Sequence, residues 1–396
     1  MKNLAAIVAL LLCAATGPSF SGPEPTPEAI QPLDVPTSPD PLRVTPLVVE
    51  IPHEPAPFRG SDARYHLQYE LNVESFTGDR TRLDGLDVRD ESGATVAHLD
   101  AQGVAAGLVV RDHQATPGEF GPSQMGILYL HVSVQDAAHV PKSISHLLTM
   151  SSGGRQVTAT VAPAHVALPA SLVLDAPLRG ARYIAADACC DSTRHVRATL
   201  PLNGRAYDAQ RFAIDWEQTD AQGHIYVGNP KDPHSYLIYG KPAYAVADAQ
   251  VVVAQDDMDD SPIGTLPNLS VGKADGNCVI LDLGQKRYAL YAHFKPHSVR
   301  VRVGQQVHRG DILGLVGTSG NSSEPHLHFH VSDAPSLMSD GIPYVLRHFS
   351  ATRRGISTAA FDQAVADGTT IPTETLPGSA QHDNEYPMDL VIADLP

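Results

Sequence analysis

The chain has 396 residues, 42% of them hydrophobic, with 31 glycines and 32 prolines. That length holds more than one domain, and the glycine and proline content suits many short strands and turns. A formal net charge of −16 argues against nucleic acid and against an anionic membrane surface as partners.

The first 22 residues read as a targeting segment. Lys2 supplies a positive charge, Leu4 to Ala15 is an apolar run too short to span a bilayer, and small residues follow through Gly22. This is the layout of a secretory signal peptide, so the protein is expected to be exported, to the periplasm or beyond the cell, with no membrane span. Cys13 follows Leu12, where lipidation wants a small residue. Residues 23–45 are proline-rich and read as a disordered linker.

From 46 to 170 apolar and polar residues alternate in RYHLQYELNV, ATVAHL, GLVV, ILYLHVSV and VTATVAPAHV, with turn residues between. A β-sandwich is expected, without a catalytic constellation, its scattered histidines solvated or packed. From 171 to 350 short β runs continue (RFAIDW, NCVILDLG, RYALYAHF, HLHFHVS) and no long helical periodicity appears. The fold class is therefore all-β, a sandwich followed by a second β-sheet domain. The tail, 351–396, reads as weakly ordered. Among the cysteines, Cys189 and Cys190 are adjacent and Cys278 stands alone. Either a vicinal disulfide or a bond from one of the pair to Cys278 fits.

The candidate chemistry lies in EPHLHFH, Glu324 to His330. Alternate residues of a strand face one side, so His326 and His328 aim together with His330 in line, while Leu327 and Phe329 face a core. Two imidazoles about 7 Å apart can share one small site, one nitrogen on a metal ion and another handling a proton. His293 closes another strand in YAH. Asp215 is a carboxylate inside an apolar strand, costly unless it is paired or binds metal.

Together with YGKPAYAVADAQVV, the run VGQQVHRGDILGLVGTSGNSSEPHLHF and the later GIPY, these motifs resemble the lysostaphin-type (LytM-like) zinc metallopeptidase domain of peptidoglycan endopeptidases. The resemblance covers about Gln210 to Phe349 and implies a duplicated hybrid motif β-fold. It implies one zinc ion, held by the His and Asp of an HxxxD motif and the second His of HxH. On this chain Asp215 and His328 take the last two places. His326 would be the general base, and His293 would orient the attacking water and stabilise the tetrahedral intermediate.

The first ligand position departs from the pattern: Arg211 stands four residues before Asp215, and a guanidinium cannot ligate zinc. Three readings follow. Arg211 pairs with Asp215 and displaces the metal; or a histidine from elsewhere replaces the ligand, best His195, with His224 and His234 in the insertion after Asp215 as others; or zinc sits weakly on Asp215, His328 and water. His330 is not expected to help. The resemblance thus implies an exported zinc metalloendopeptidase cutting the peptide crosslinks of peptidoglycan. The alternative is a catalytically inactive domain that binds cell wall or activates a partner cell-wall hydrolase.

Overall fold

The computed structural model describes residues 44–110, 116–168, 172–190, 194–267 and 269–396. The expected signal peptide, Cys13 and nearly all of the proline-rich segment lie outside the described residues. Alternation is clearest in Ser143–Ser152, where Ile144, His146, Leu148 and Met150 turn inward and their neighbours outward. This strand belongs to a five-stranded sheet with Arg155–His165, Thr81–Arg89, Thr95–Asp100 and Glu119–Phe120. A second five-stranded sheet joins Leu47–Glu50, Phe58–Arg59, Tyr65–Ser75, Met125–Val134 and Leu108–Val110. The two close over one core that includes Leu67, Leu71, Leu86, Leu128 and Leu148.

The rest of the chain builds a twelve-stranded sheet. Its central order runs Val345–Gly355, Val391–Leu395, Gly180–Ala186, Ile214–Gln218, Leu327–Ser332, Tyr288–Ala292, Cys278–Asp282 and Ala249–Gln255. One face packs Trp216, Tyr291, Leu327 and Phe329 into a fully buried core. Burying each such side chain contributes about 1.5–3 kcal/mol, which fixes the strands that carry the opposite face. The expected all-β class holds: the α-helices among the described residues are Ala101–Gly107 and Thr358–Asp367.

Two expectations need correction. RFAIDW is not one strand: Gln210 to Ala213 form a turn closed by the Ala213 amide on the Gln210 carbonyl, and the strand starts at Ile214. The tail is not weakly ordered. The Thr358–Asp367 helix is capped by the Ser357 side chain at its start and by Gly368, with φ of 63°, at its end. Val391–Leu395 then enters the sheet between Val345–Gly355 and Gly180–Ala186. The apolar residues that earn this order are Phe361, Ala364, Leu390, Val391 and Ala393, all buried.

Cys189 and Cys190 form a vicinal disulfide, and Cys278 is a free, buried thiol. Pro41–Pro396 is one unit, and sandwich and sheet share an interface. Phe58, from the sandwich, packs edge-on against Phe212 and Tyr386 of the sheet, and the Tyr386 amide donates to the Arg59 carbonyl.

Candidate functional site

The strand register sets the centre. Asp215 sits directly opposite His328 on one side and Ala186 on the other, and His328 is opposite Ala292. With Trp216, Leu327 and Phe329 in the core, Asp215 and His328 necessarily project to the other face. The chain leaves its strand at Asp187, in a left-handed conformation with φ of 54°, passes the vicinal disulfide and returns at the 3-10 turn His195–Arg197. There His195 Nδ1 donates to the Asp187 carbonyl at 2.9 Å.

Three ligand-bearing side chains converge. His195 Nε2 is 3.4 Å from Asp215 Oδ2, and His328 Nδ1 is 2.8 Å from Asp215 Oδ1. The ligand atoms of His195, Asp215 and His328 all lie within 4.8 Å of one another. His326 Nε2 is 3.5 Å from Asp215 Oδ1, and the His293 ring lies 4.6 Å, centre to centre, from that of His326. The five residues line one cleft of about 740 Å³.

The tautomers are fixed from behind. His293 Nδ1 donates to the Ser319 carbonyl at 2.8 Å and His326 Nδ1 to the Glu324 carbonyl at 2.8 Å. With His195 bound to the Asp187 carbonyl, three imidazoles turn their Nε2 atoms toward the cleft. The donor set, two imidazole nitrogens and a carboxylate oxygen, fits a zinc ion held by three protein ligands. Without a metal, Asp215 is satisfied by protons on the neighbouring imidazoles. Burial opposes a charge on His195, yet Asp215 and Asp187 push it up to about 9. Burial would raise Asp215, but His326, His195 and the His328 hydrogen bond hold it well below the carboxylate range. Burial holds His293 well below the usual imidazole value.

His330 was not expected to contribute, but its Nδ1 lies 2.9 Å from His328 Nε2. If His328 Nδ1 carries a proton for Asp215, Nε2 accepts from His330. If a metal takes Nδ1, the proton moves to Nε2 and His330 accepts it. The cradle of His293 explains the GTSG motif. Ser319 Oγ donates to the Phe294 carbonyl while its own carbonyl takes the His293 ring. A Cβ on Gly320, whose φ is 79°, would meet the Gly276 amide at 2.4 Å, and one on Gly317 the Lys295 amide at 2.3 Å. Only glycines let these backbones touch.

Of the three readings, the one that pairs Arg211 with Asp215 is overturned. Arg211 lies in the turn before the strand and points the other way, to Glu70 of the sandwich. Nor are His224 and His234 near the site: they bond Asp220 and Asp232 within their own insertion. A second group, His66, His131 and Cys190, also has ligand spacing, but its sulfur is held in the disulfide and its imidazoles bond each other at 2.9 Å.

Residues the sequence reading missed wall the cleft: Glu217 and Glu324, and Phe361, Asp362 and Val365 of the C-terminal helix. Arg194 ties that helix to the site, donating to Asp187 at 2.8 Å and to both oxygens of Asp362 at 2.7 Å. Burial, followed by repulsion from Glu324 and Asp215, pushes the Glu217 carboxyl well above the usual range.

Fold and site thus define an all-β protein with a His–Asp–His group of metal-ligand spacing in a cleft. Residues 236–338 match the Peptidase family M23 model, and the chain carries a domain of that family. The matched span includes His293, His326 and His328; Asp215 and His195 precede it. Over 68 residues the chain is 37% identical to the cell division protein DipM of Caulobacter vibrioides (strain NA1000 / CB15N), a stretch covering 17% of this chain and only 11% of DipM. Among solved structures, it is similar to the catalytic domain of lysostaphin from Staphylococcus simulans, with 18% identity, coverage of 41% of this chain and 88% of that one, and a TM-score of 0.23. It is also similar to a zinc containing peptidase from Vibrio cholerae, with 15% identity, coverage of 74% and 86%, and a TM-score of 0.26.

Proposed function

We propose that the chain is an exported zinc-dependent endopeptidase that hydrolyses the peptide crosslinks of bacterial peptidoglycan. The observation that carries this reading is the convergence of His195, Asp215 and His328, with the far nitrogen of each imidazole already hydrogen-bonded. His195 takes the ligand role that Arg211 cannot fill. A bound zinc ion would supply Lewis acidity, polarising the scissile carbonyl and making water a better nucleophile near neutral pH.

The chain's own residues do the rest. His326 Nε2, with its Nδ1 proton committed to the Glu324 carbonyl, accepts the proton of the attacking water as general base. His293, held neutral by burial and aimed by Ser319, orients that water and stabilises the tetrahedral intermediate. The fixed backbone acceptors mean neither ring must turn during reaction, which is preorganisation in the electrostatic sense. The Asp187–Arg194–Asp362 chain holds both His195 and the cleft wall.

The test is direct. Purified protein is assayed for zinc by atomic emission and for release of new amino termini from purified peptidoglycan. One zinc per chain with amine release supports the reading. Peptidoglycan bound but uncut, at full zinc occupancy, would indicate a binding module.

A further inference from the structure

The cleft extends beyond the ligand set. Glu217 lies two residues along the strand from Asp215 and projects from the same face, about 7 Å further on. Glu324 lies two residues before His326. Both line the cleft. Glu217 is 3% exposed, and its Oε2 has no hydrogen-bond partner. Glu324 has the Ser323 hydroxyl at 3.3 Å. A buried carboxyl oxygen without a donor is costly, and proteins keep one where something else brings the donor.

The chain's own cations do not bring it. The lining holds six carboxylates, Asp187, Asp215, Glu217, Asp275, Glu324 and Asp362, against two cations, Arg194 and Lys231. Arg194 divides its guanidinium between Asp187 and Asp362, and Lys231 donates to the Ile263 carbonyl at 2.8 Å. Neither of these contacts reaches Glu217 Oε2, which stays without a donor. The same lining includes the side chains of Tyr236, Ile263, Phe361 and Val365. An apolar wall ending in carboxylates suits an alkyl stem tipped with a positive charge.

We propose that Glu217 and Glu324 form a recognition subsite for a primary ammonium group on an unbranched side chain beside the bond that is cut. This rests on the endopeptidase reading above, and its test is built to separate the two. The probes are the peptide Ala-Ala-Lys-Ala and its norleucine isostere, which keeps the stem and removes the charge. Each is titrated calorimetrically into zinc-loaded protein and into protein stripped with a chelator, and zinc is measured on the same samples.

The lysine peptide should bind at least tenfold more tightly than the norleucine peptide, in both samples. Glu217→Gln and Glu324→Gln keep shape and remove charge; each should cut the preference severalfold, and the double variant should bind both peptides alike. A thermal melt of each variant checks that it folds. No preference in the wild type, including no measurable binding of either peptide, overturns the subsite, as does a preference that survives in the folded double variant. A lysine preference in protein that takes up no zinc leaves the subsite standing and sinks the metallopeptidase reading; zinc bound without a preference does the reverse.

Discussion

Arg211 and Glu70 meet in a doubly hydrogen-bonded pair, Nε to Oε1 at 2.7 Å and Nη2 to Oε2 at 2.8 Å, 141 residues apart in sequence. Both side chains are about 5% exposed, and Arg211 also reaches the Gly341 carbonyl at 3.2 Å. Arg211 is thus part of the seam between sandwich and sheet.

Arg211→His is therefore expected not to add a metal ligand. It should leave zinc content unchanged and destabilise the protein, because Glu70 stays buried without its partner. Breaking such a pair from one side costs about 3–5 kcal/mol, whereas replacing both partners with apolar residues should cost much less. Denaturant unfolding of Arg211→His and of the Arg211→Met/Glu70→Leu double variant, with zinc by atomic emission, checks this. A gain in zinc by the single variant would refute the assignment.

His195→Ala should abolish stoichiometric zinc and amine release together, and Asp215→Ala should do the same. His224→Ala should leave both at wild-type levels, since His224 is bound to Asp220 at 3.0 Å. Full zinc in His195→Ala would reject His195 as a ligand.

His330→Leu removes the acceptor behind His328 while leaving all three proposed ligands in place. The zinc dissociation constant should rise about 10- to 100-fold, the usual cost of losing an outer partner of a metal-bound histidine. His330→Gln, which can still accept a hydrogen bond, should recover part of that loss. Competition with a chromogenic chelator measures both.

His146 gives the sandwich an acid sensitivity of its own. It is fully buried between the Tyr69 hydroxyl, at 2.9 Å, and the Ala162 carbonyl, and burial lowers its pKa to about 4. The unfolded chain, with a pKa near 6.5, binds the extra proton between those values, so stability is full above about 6.5 and falls as pH drops towards 4. A shift of that size corresponds to about 3 kcal/mol. Urea unfolding at pH 7 and pH 4.5 should show the loss, and His146→Gln should flatten it. An unchanged slope in the variant would assign the acid sensitivity elsewhere.

Much of the site was legible because strands are periodic. The spacing of His326 and His328 fixes a common face, and Leu327 and Phe329 between them fix which face is buried. Arg211 shows the limit. Its partner comes from another sheet, and no local pattern announces a contact across 141 residues. The C-terminal helix was readable and missed: Ser357, then Phe361, Ala364 and Val365 at helical spacing, then Gly368, are ordinary start, face and stop signals. Proline and polar residues around this short stretch masked it. The role of His330 depends on a tautomer set by His328, which sequence does not carry.

The position of Val391–Leu395 has a temporal consequence. This strand pairs with Gly180–Ala186, the neighbour of the strand that bears Asp215, and the segment after Ala186 delivers His195. Joining residues some 200 positions apart requires closing a very long loop, which makes the centre of the sheet a late event on the folding path. A nascent chain whose residues beyond 390 have not yet appeared leaves the Gly180–Ala186 edge unpaired on that side. The sheet that positions His195 and Asp215 is thus closed on this side only after residues 391–395 have joined it.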